Sequence, residues 1–310
     1  MKTLVFGGTG FVGRNVIGAL CEAGVECVSS SRAEGTDLRD TDSVRALLRR
    51  EQPGFIVNCA AHVGSLNYVS RQAATVVVDN TRMILGMYEA ITAECPQALV
   101  INPIANCAYP STEDTFVEDH WWNGHLHRSV FSYGSTRRML WSVAECFQMQ
   151  HGIKSIHFLV PNMYGPHDST DPDKAHALNA LISKFVKAQA TSASSIDIWG
   201  SGAPIREWLY APDFARVVLE VIKNPSMVGL SEPINIGQNF GLSVCELVDL
   251  IVRATQFKGR VSYDYSMPDG APRKVMDDRR FRKVFPEFKF TPLSGGVDAA
   301  MAYYRSVLPY

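Results

Sequence analysis

The feature that most constrains this chain is its N-terminal stretch, where a short apolar run leads directly into glycines at positions 7, 10 and 13. Glycine tolerates positive φ and adds no side chain, so this spacing predicts a tight strand-to-helix turn whose amides can approach a pyrophosphate. The helix predicted over 14–23 directs its positive N-terminus at the same anion. An ordinary turn in an unrelated α/β domain is the alternative. The candidate dinucleotide contacts in this turn are Gly7, Thr9, Gly10, Phe11, Val12 and Gly13.

Length, charge and cysteine usage limit the class of protein. The 310 residues carry 30 Lys and Arg against 31 Asp and Glu, a formal charge of −1, so there is no basic field for nucleic acid or an anionic membrane. The 7 cysteines are scattered without paired metal-ligand spacing, which is typical of reduced thiols. No apolar stretch is long enough to span a membrane. We expect a cytoplasmic protein with no metal, nucleic-acid or membrane partner.

Short apolar strands alternate with helical patterns through the first half of the chain. Strands are predicted at 25–31, 37–38, 55–61, 99–102 and 155–160, and helices at 42–50, 75–93 and 132–150. This alternation predicts right-handed crossovers and a Rossmann-type doubly wound parallel sheet of the α/β class. We expect a dinucleotide-binding domain at 1–165 and, at 166–310, mainly a smaller α/β substrate-binding region, from which a segment at about 205–240 returns to the first domain.

The end of the second predicted strand indicates which dinucleotide binds. In such folds this strand end faces the adenosine ribose, where an acid binds the 2′-hydroxyl of NAD and an arginine accepts the 2′-phosphate of NADP. The strand ends in serines followed by Arg32, and the acid is missing. This arrangement favours NADP, and the alternative is that Arg32 is a solvated loop cation.

Further motifs connect the chain to a known family. They are Asp37-Leu38, Tyr133 with a cation four residues later, and Pro161 followed by Tyr164-Gly165-Pro166. With the glycine turn, they resemble the extended short-chain dehydrogenase/reductases, the NAD-dependent epimerase/dehydratase family, over nearly the whole chain. Within this family the chain is similar to the GDP-L-fucose synthases through Ala-Ala-His-Val-Gly at 60–64, Asn-Cys-Ala-Tyr-Pro at 106–110, Asn-Met-Tyr-Gly-Pro-His-Asp at 162–168 and Trp-Gly-Ser-Gly-Ala-Pro-Ile-Arg-Glu-Trp-Leu at 199–209.

The resemblance implies a reaction and residues that perform it. Such enzymes epimerise a 4-keto-6-deoxy GDP-hexose at C3 and C5 and then reduce the C4 ketone with NADPH. Cys107 matches the base that removes the proton beside the ketone, and His176 matches the acid that returns a proton to the opposite face. The alternatives are that Cys107 is a buried small hydrophobe and His176 a surface histidine.

The resemblance also implies ligand contacts and an assembly. Arg206 matches an arginine near the nucleotide diphosphate, its alternative being a surface ion pair. Lys184 is a candidate to assist Arg206, although the arginine of the family falls on Ser183. The helices at 75–93 and 133–150 match a pair that forms a four-helix homodimer interface. The remaining implied contacts are Asp37, Leu38, Ala60, Ala61, Tyr133, Arg137, Pro161, Asn162 and Met163 for the cofactor, and Asn162, His176 and Trp199 for the nucleotide-diphosphate sugar.

The hydride-transfer residues depart from the family pattern. Tyr133 is present, but the lysine position is Arg137 and the serine position is Ala105. A tyrosine with a reference pKa of about 10 needs a nearby cation to transfer a proton near neutral pH, and Arg137 supplies one. The amide of Asn106 is a candidate replacement for the missing hydroxyl.

Three functions therefore remain open. The first is an NADP-dependent nucleotide-sugar epimerase/reductase, and the second is an isomerase in which the nicotinamide is idle because two hydride-transfer residues have changed. The third is a redox-sensing or regulatory protein, which would need neither Cys107 nor His176. The sequence leaves open the sugar (hexose or heptose), the nucleotide base and the stereochemical outcome.

Overall fold

The computed structural model describes residues 1–229, 232–267 and 269–310. Its strands are β1 Thr3–Phe6, β2 Cys27–Ser30, β3 Phe55–Asn58, β4 Leu99–Ala105, β5 Thr115–Phe116, β6 Ser155–Val160, β7 Asn162–Tyr164, β8 Ser195–Trp199, β9 Ile205–Arg206, β10 Trp208–Tyr210, β11 Ile234–Asn235, β12 Leu242–Ser243, β13 Arg260–Asp264 and β14 Arg273–Met276. Its helices are α1 Phe11–Glu22, α2 Thr41–Glu51, α3 Leu66–Arg71, α4 Ala73–Glu94, α5 Phe131–His151, α6 Ala177–Ala190, α7 Ala211–Lys223, α8 Val244–Thr255, α9 Arg279–Val284 and α10 Leu293–Ser306.

A parallel sheet of six strands, in the order β11-β6-β4-β3-β1-β2, forms the centre of the molecule. Every residue of β1, β3 and β6 is buried, as expected for strands covered by helices on both faces. One apolar cluster joins the sheet to α2, α4 and α5, and another joins its opposite face to α1, α7 and α9. This architecture confirms the predicted α/β class and doubly wound parallel sheet.

The predicted strand at Asp37-Leu38 is wrong, because these residues lie in a turn. The Asp37 carboxylate accepts the backbone N–H of Arg39 at 3.0 Å and its guanidinium Nη2 at 2.6 Å. Such local hydrogen bonds compete with strand pairing. The turn directs Leu38 into the core, where it is 6% exposed.

The first helix begins earlier than expected, at Phe11 instead of residue 14. The Gly10 N–H donates to the Gly7 carbonyl at 2.9 Å, so the turn closes within three residues and the helix starts at once. The other long helices and strands of the first half lie within a few residues of their predicted limits.

Smaller sheets and a third apolar cluster make up the rest of the chain. Strands β12, β9, β14 and β5 form a four-stranded mixed sheet, and the third cluster contains residues of α6, α8 and α10. Helix α7 packs against α1, and β11 is an edge strand of the central sheet. Helix α9, which lies beyond the predicted returning segment, also joins the central core through Phe281. The division at residue 165 stays a prediction. In the described part of the chain, no helix has the length and apolarity needed to cross a membrane.

Candidate active site

The glycine turn has the shape of a phosphate cradle. Gly7 has a φ of 74°, and a Cβ added there would lie 2.8 Å from the Ala60 nitrogen. A Cβ on Gly13 would lie 2.1 Å from the Gly7 carbonyl oxygen, so a side chain is excluded at both positions. The N-cap residue Gly10 has no side chain to cap α1, which leaves the amides of the first turn for an anion. These features fit a dinucleotide pyrophosphate.

A basic and an acidic side chain, Arg32 and Glu34, lie in the same turn after β2. Arg32 is exposed and begins a 3₁₀ turn that ends at Gly35, where φ is 89°. The turn brings the Glu34 carboxylate back onto the strand end, where it accepts hydrogen bonds from Ser29 Oγ at 2.9 Å and Ser31 Oγ at 2.8 Å. The sequence analysis missed this acid because Glu34 lies beyond the strand. In such folds the acid that binds the ribose lies about 20 residues after the glycine turn. Glu34 has this spacing, which could have identified it.

Tyr133 and Arg137 lie one turn apart on α5, with the guanidinium carbon 4.9 Å from the centre of the tyrosine ring. Burial raises the pKa of Tyr133, and the charge of Arg137 opposes that increase. Arg137 is only 3% exposed, and its Nε is buried without a hydrogen-bond partner among the described residues. An unpaired buried donor is costly, so this atom is available to a ligand.

A buried asparagine on α4, which the sequence analysis missed, fixes the guanidinium. Asn80 Oδ1 accepts from Arg137 Nη2 at 2.9 Å and from the His62 backbone N–H at 3.1 Å. Its Nδ2 donates to the carbonyls of His62 and Val76. A polar residue on the otherwise apolar buried face of this helix was the available sequence signal.

Cys107 and Asn106 lie in a 3₁₀ turn that follows β4. Burial raises the pKa of the Cys107 thiol to about 11, although the charges of Lys274 and Arg137 act to lower that pKa. Asn106 is 5% exposed, and its Nδ2 has no partner among the described residues, which fits a donor to a ligand oxygen. Lys274 was not identified from the sequence.

His176 precedes α6 and forms a pair with a buried carboxylate. Its Nδ1 lies 3.2 Å from both oxygens of Asp168, and its backbone N–H donates to Asp168 Oδ2 at 2.8 Å. Burial raises the pKa of Asp168, but hydrogen bonds from His176 and Asn179 outweigh it and hold that pKa below its usual value. The pair orients the ring and leaves Nε2 for proton transfer. The His176 ring also lies 5.0 Å from that of Phe11, at the start of α1.

The residues predicted to contact the nucleotide-sugar, Arg206, Trp199 and Lys184, differ in burial and in hydrogen bonding. Arg206 lines a cavity of about 220 Å³ and donates to the carbonyls of Ile205 at 2.9 Å and Asp269 at 3.2 Å. Trp199 is 63% exposed at the end of β8. Lys184 donates to the Asp197 carbonyl at 2.5 Å, and its role beside Arg206 stays a prediction.

Other predicted residues lie just after β3, on β7 and on α6. Ala60 follows β3 and lies against the glycine turn, and Asn162 begins β7, where it pairs with Trp208. Met163 is buried in the central core. The Ser183 hydroxyl donates to the Tyr310 hydroxyl at 2.7 Å, facing the C-terminus. The structure thus brings Cys107, Tyr133 and Arg137 together, whereas the roles of the individual residues remain predictions.

The chain belongs to the NAD dependent epimerase/dehydratase family, whose sequence pattern matches residues 3–237. The GDP-L-fucose synthase of Azorhizobium caulinodans is 28% identical over 306 residues, which cover 98% of this chain and 96% of that protein. The NADP-bound GDP-L-fucose synthetase of Naegleria fowleri has a TM-score of 0.85 at 24% identity, with 98% of this chain and 94% of that chain covered. The GDP-6-OMe-4-keto-L-xylo-heptose reductase of C. jejuni has a TM-score of 0.88 at 20% identity, with 98% and 97% covered. These two structures show the same fold.

Proposed function

We propose that this protein is an NADP-dependent nucleotide-sugar enzyme that epimerises a 4-keto GDP-sugar at the carbons flanking the ketone and reduces the ketone. One observation carries this proposal: the guanidinium carbon of Arg137 lies 4.9 Å from the centre of the Tyr133 ring, and the charge of Arg137 acts to lower the pKa of both Tyr133 and Cys107. The similarity to a GDP-L-fucose synthase supports the GDP-linked substrate, and the sugar is a 6-deoxyhexose or a heptose.

The cofactor site consists of the glycine turn, Arg32 and the Tyr133–Arg137 helix. The bare first turn of α1 would hold the pyrophosphate, and Arg32 would hold the 2′-phosphate. The unpaired Nε of Arg137 would donate to the nicotinamide ribose. The NADP bound to the structurally similar Naegleria protein supports this assignment. When bound, NADPH supplies the hydride that reduces the C4 ketone.

Epimerisation uses acid–base groups on two sides of the sugar. The thiolate of Cys107 takes a proton from the carbon beside the ketone, and the electron pair moves onto the ketone oxygen. The buried donor Asn106 Nδ2 stabilises the charge on that oxygen. His176, with Nδ1 held by Asp168, returns a proton from Nε2 to the opposite face and inverts the carbon.

Reduction requires an acid at the ketone oxygen. Tyr133 gives its phenolic proton to that oxygen, and Arg137 stabilises the phenolate that remains. The guanidinium lies over the tyrosine ring and is held by Asn80, so its position is determined before a ligand binds.

Wild-type protein tests the proposal directly. A 4-keto GDP-sugar incubated with it in D2O is expected to gain deuterium beside the ketone, and added NADPH is expected to be consumed. NMR spectra of the sugar and absorbance of the cofactor measure the two steps separately. Wild-type protein that neither exchanges protons nor oxidises NADPH contradicts the proposal.

A second candidate function is an isomerase without net reduction. It is favoured by two observations: Arg137 Nη2 donates to Asn80, and Ala105 offers no hydroxyl for the ketone. Under this alternative Cys107 and His176 epimerise the substrate while NADPH is not consumed. The measurement of NADPH oxidation described above distinguishes the two.

We expect NADPH to bind more tightly than NADH, with Arg32 and Glu34 acting in opposite directions. Arg32→Ala should weaken NADPH binding by about tenfold to a hundredfold, because a charge-assisted hydrogen bond contributes about 1.5–3 kcal/mol. Glu34→Gln should strengthen NADPH binding, since it removes a carboxylate that repels the 2′-phosphate. Fluorescence titration measures both. Arg50→Ala, at an exposed site on α2, is the control. Equal affinity for NADH in the wild type contradicts the prediction.

We also expect a homodimer. Helix α4 exposes the apolar side chains Val77, Val78 and Leu85, and α5 exposes Phe131 and Met149. Light scattering at micromolar concentration should give twice the 34.3 kDa mass of one chain. Val78→Lys should shift the mass toward the monomer because it places a charge in this face, and a monomeric wild type would refute the assignment.

A further inference from the structure

Two cysteines lie in contact where the first helix turns back to the second strand. Cys21 is in the last turn of α1, and Cys27 is the first residue of β2. Between them the chain turns at Gly24, where φ is 69°. The Gly24 N–H donates to the Cys21 carbonyl at 3.0 Å, and the Val25 N–H donates to the Leu20 carbonyl at 2.9 Å. This tight turn places the two Sγ atoms 3.5 Å apart.

The two thiols differ in their access to solvent. Cys21 is exposed, whereas Cys27 is half-buried against the apolar cluster that joins the sheet to α1, α7 and α9. Burial and the hydrogen bond with Cys21 raise the pKa of Cys27 to about 11. A reagent from solution therefore meets Cys21 first, with the second sulfur beside it. Sulfur atoms this close need only small side-chain rotations to reach the bonded distance of about 2.05 Å.

We propose that Cys21 and Cys27 form a modification site, a dithiol that a small-molecule disulfide such as oxidised glutathione converts into an intramolecular disulfide. The Cys21 thiolate attacks one sulfur of the glutathione disulfide and releases one glutathione thiol, which leaves a mixed disulfide on Cys21. The Cys27 thiolate then attacks the Cys21 sulfur and releases the second glutathione thiol. The dithiol loses two electrons and two protons in all, and the glutathione disulfide gains them.

This pair lies away from the candidate active site. Helix α1 begins directly after the glycine turn, and β2 ends at Ser30, whose carbonyl accepts the Gly7 N–H at 2.7 Å. Cys21 and Cys27 therefore lie at the other ends of these two elements, and the modification site is independent of the proposed function. An excess of reduced glutathione should reverse both steps, because the attack of a thiolate on a disulfide runs in either direction.

Oxidised glutathione added to the reduced protein tests the proposal. After the remaining thiols are alkylated in denaturant, trypsin releases both cysteines in one peptide, 15–32, because no other lysine or arginine lies between Arg14 and Arg32. In the wild type this peptide should lose two hydrogens and take up no alkyl group, as measured by mass spectrometry. Dithiothreitol should restore alkylation at both cysteines. A peptide that keeps two free thiols, or that carries glutathione without the internal bond, overturns the inference.

Single variants test the order of attack. Cys27→Ser should keep glutathione on Cys21, because no second thiol is present to displace it. Cys21→Ser should leave Cys27 largely unmodified, since this thiol is half-buried. Cys146, which is exposed on α5, is the matched control and should form only the mixed disulfide in the wild type and in both variants. Cys27→Ala provides the same comparison should the serine variant fail to fold. Absence of glutathione from Cys21 in both Cys27 variants overturns the proposed order.

Discussion

Cys107→Ser is expected to abolish deuterium uptake by a 4-keto GDP-sugar at both carbons beside the ketone. A serine hydroxyl ionises far less readily than a thiol, and loss of a positioned acid–base group costs a factor of about 10² to 10⁴ in rate. The measurement is NMR of the sugar in D2O without NADPH. Exchange at an undiminished rate would remove the thiol from the mechanism and, with it, most of the case for epimerisation.

A matched control is available within the chain. Cys95, at the C-terminal end of α4, is also buried, and burial likewise raises its pKa to about 11. Cys95→Ser therefore removes a thiol of similar acidity away from the candidate site and should leave exchange unchanged. Equal losses in the two variants would indicate a structural effect.

The same prediction has a dependence on pH. Because burial raises the pKa of Cys107 to about 11, the thiolate is scarce near neutral pH and its fraction grows about tenfold with each pH unit below that value. The rate of exchange by the wild type should therefore rise from pH 6 to pH 9, as the thiolate fraction grows. A rate that falls steadily from pH 6 to pH 9 would exclude Cys107 as the base.

Tyr133→Phe is expected to eliminate NADPH oxidation while deuterium exchange continues. Hydride delivery leaves an alkoxide that must be protonated, and Tyr133 is the phenol beside Arg137. Loss of that acid should slow reduction by a factor of about 10² to 10⁴. Absorbance of NADPH with a 4-keto GDP-sugar gives the rate, and reduction at the wild-type rate would contradict the assignment.

Two further variants separate the reductase from the isomerase. In the reductase, Arg137→Lys keeps a cation beside Tyr133 and should change the reduction rate only modestly. In the isomerase, wild-type protein exchanges protons without consuming NADPH, and the double change Ala105→Ser with Arg137→Lys should gain reduction. Deuterium exchange is the internal control and should continue in both variants, because neither variant replaces Cys107 or His176.

Local sequence was sufficient to predict the nucleotide-binding half of the fold. Backbone steric limits act within a few residues, so the spacing of Gly7, Gly10 and Gly13 predicts the turn whatever the rest of the chain does. Mostly apolar runs such as Ser155–Val160 likewise indicate buried parallel strands. The resemblance to the epimerase/dehydratase family depends on the same short motifs, and the family match confirms it.

The electrostatics of the site depended on the tertiary structure. The hydrogen bond between Arg137 and Asn80 joins helices far apart in the chain, and no periodicity along the sequence records such a contact. Competition between local side-chain hydrogen bonds and strand pairing was also not predicted from the sequence. The Asp37 carboxylate, for example, accepts the backbone N–H of Arg39 and stabilises a turn where a strand was expected. The state of an ionisable group is set by burial and by the charges around it, and both come from packing between elements and not from the identity of the residue.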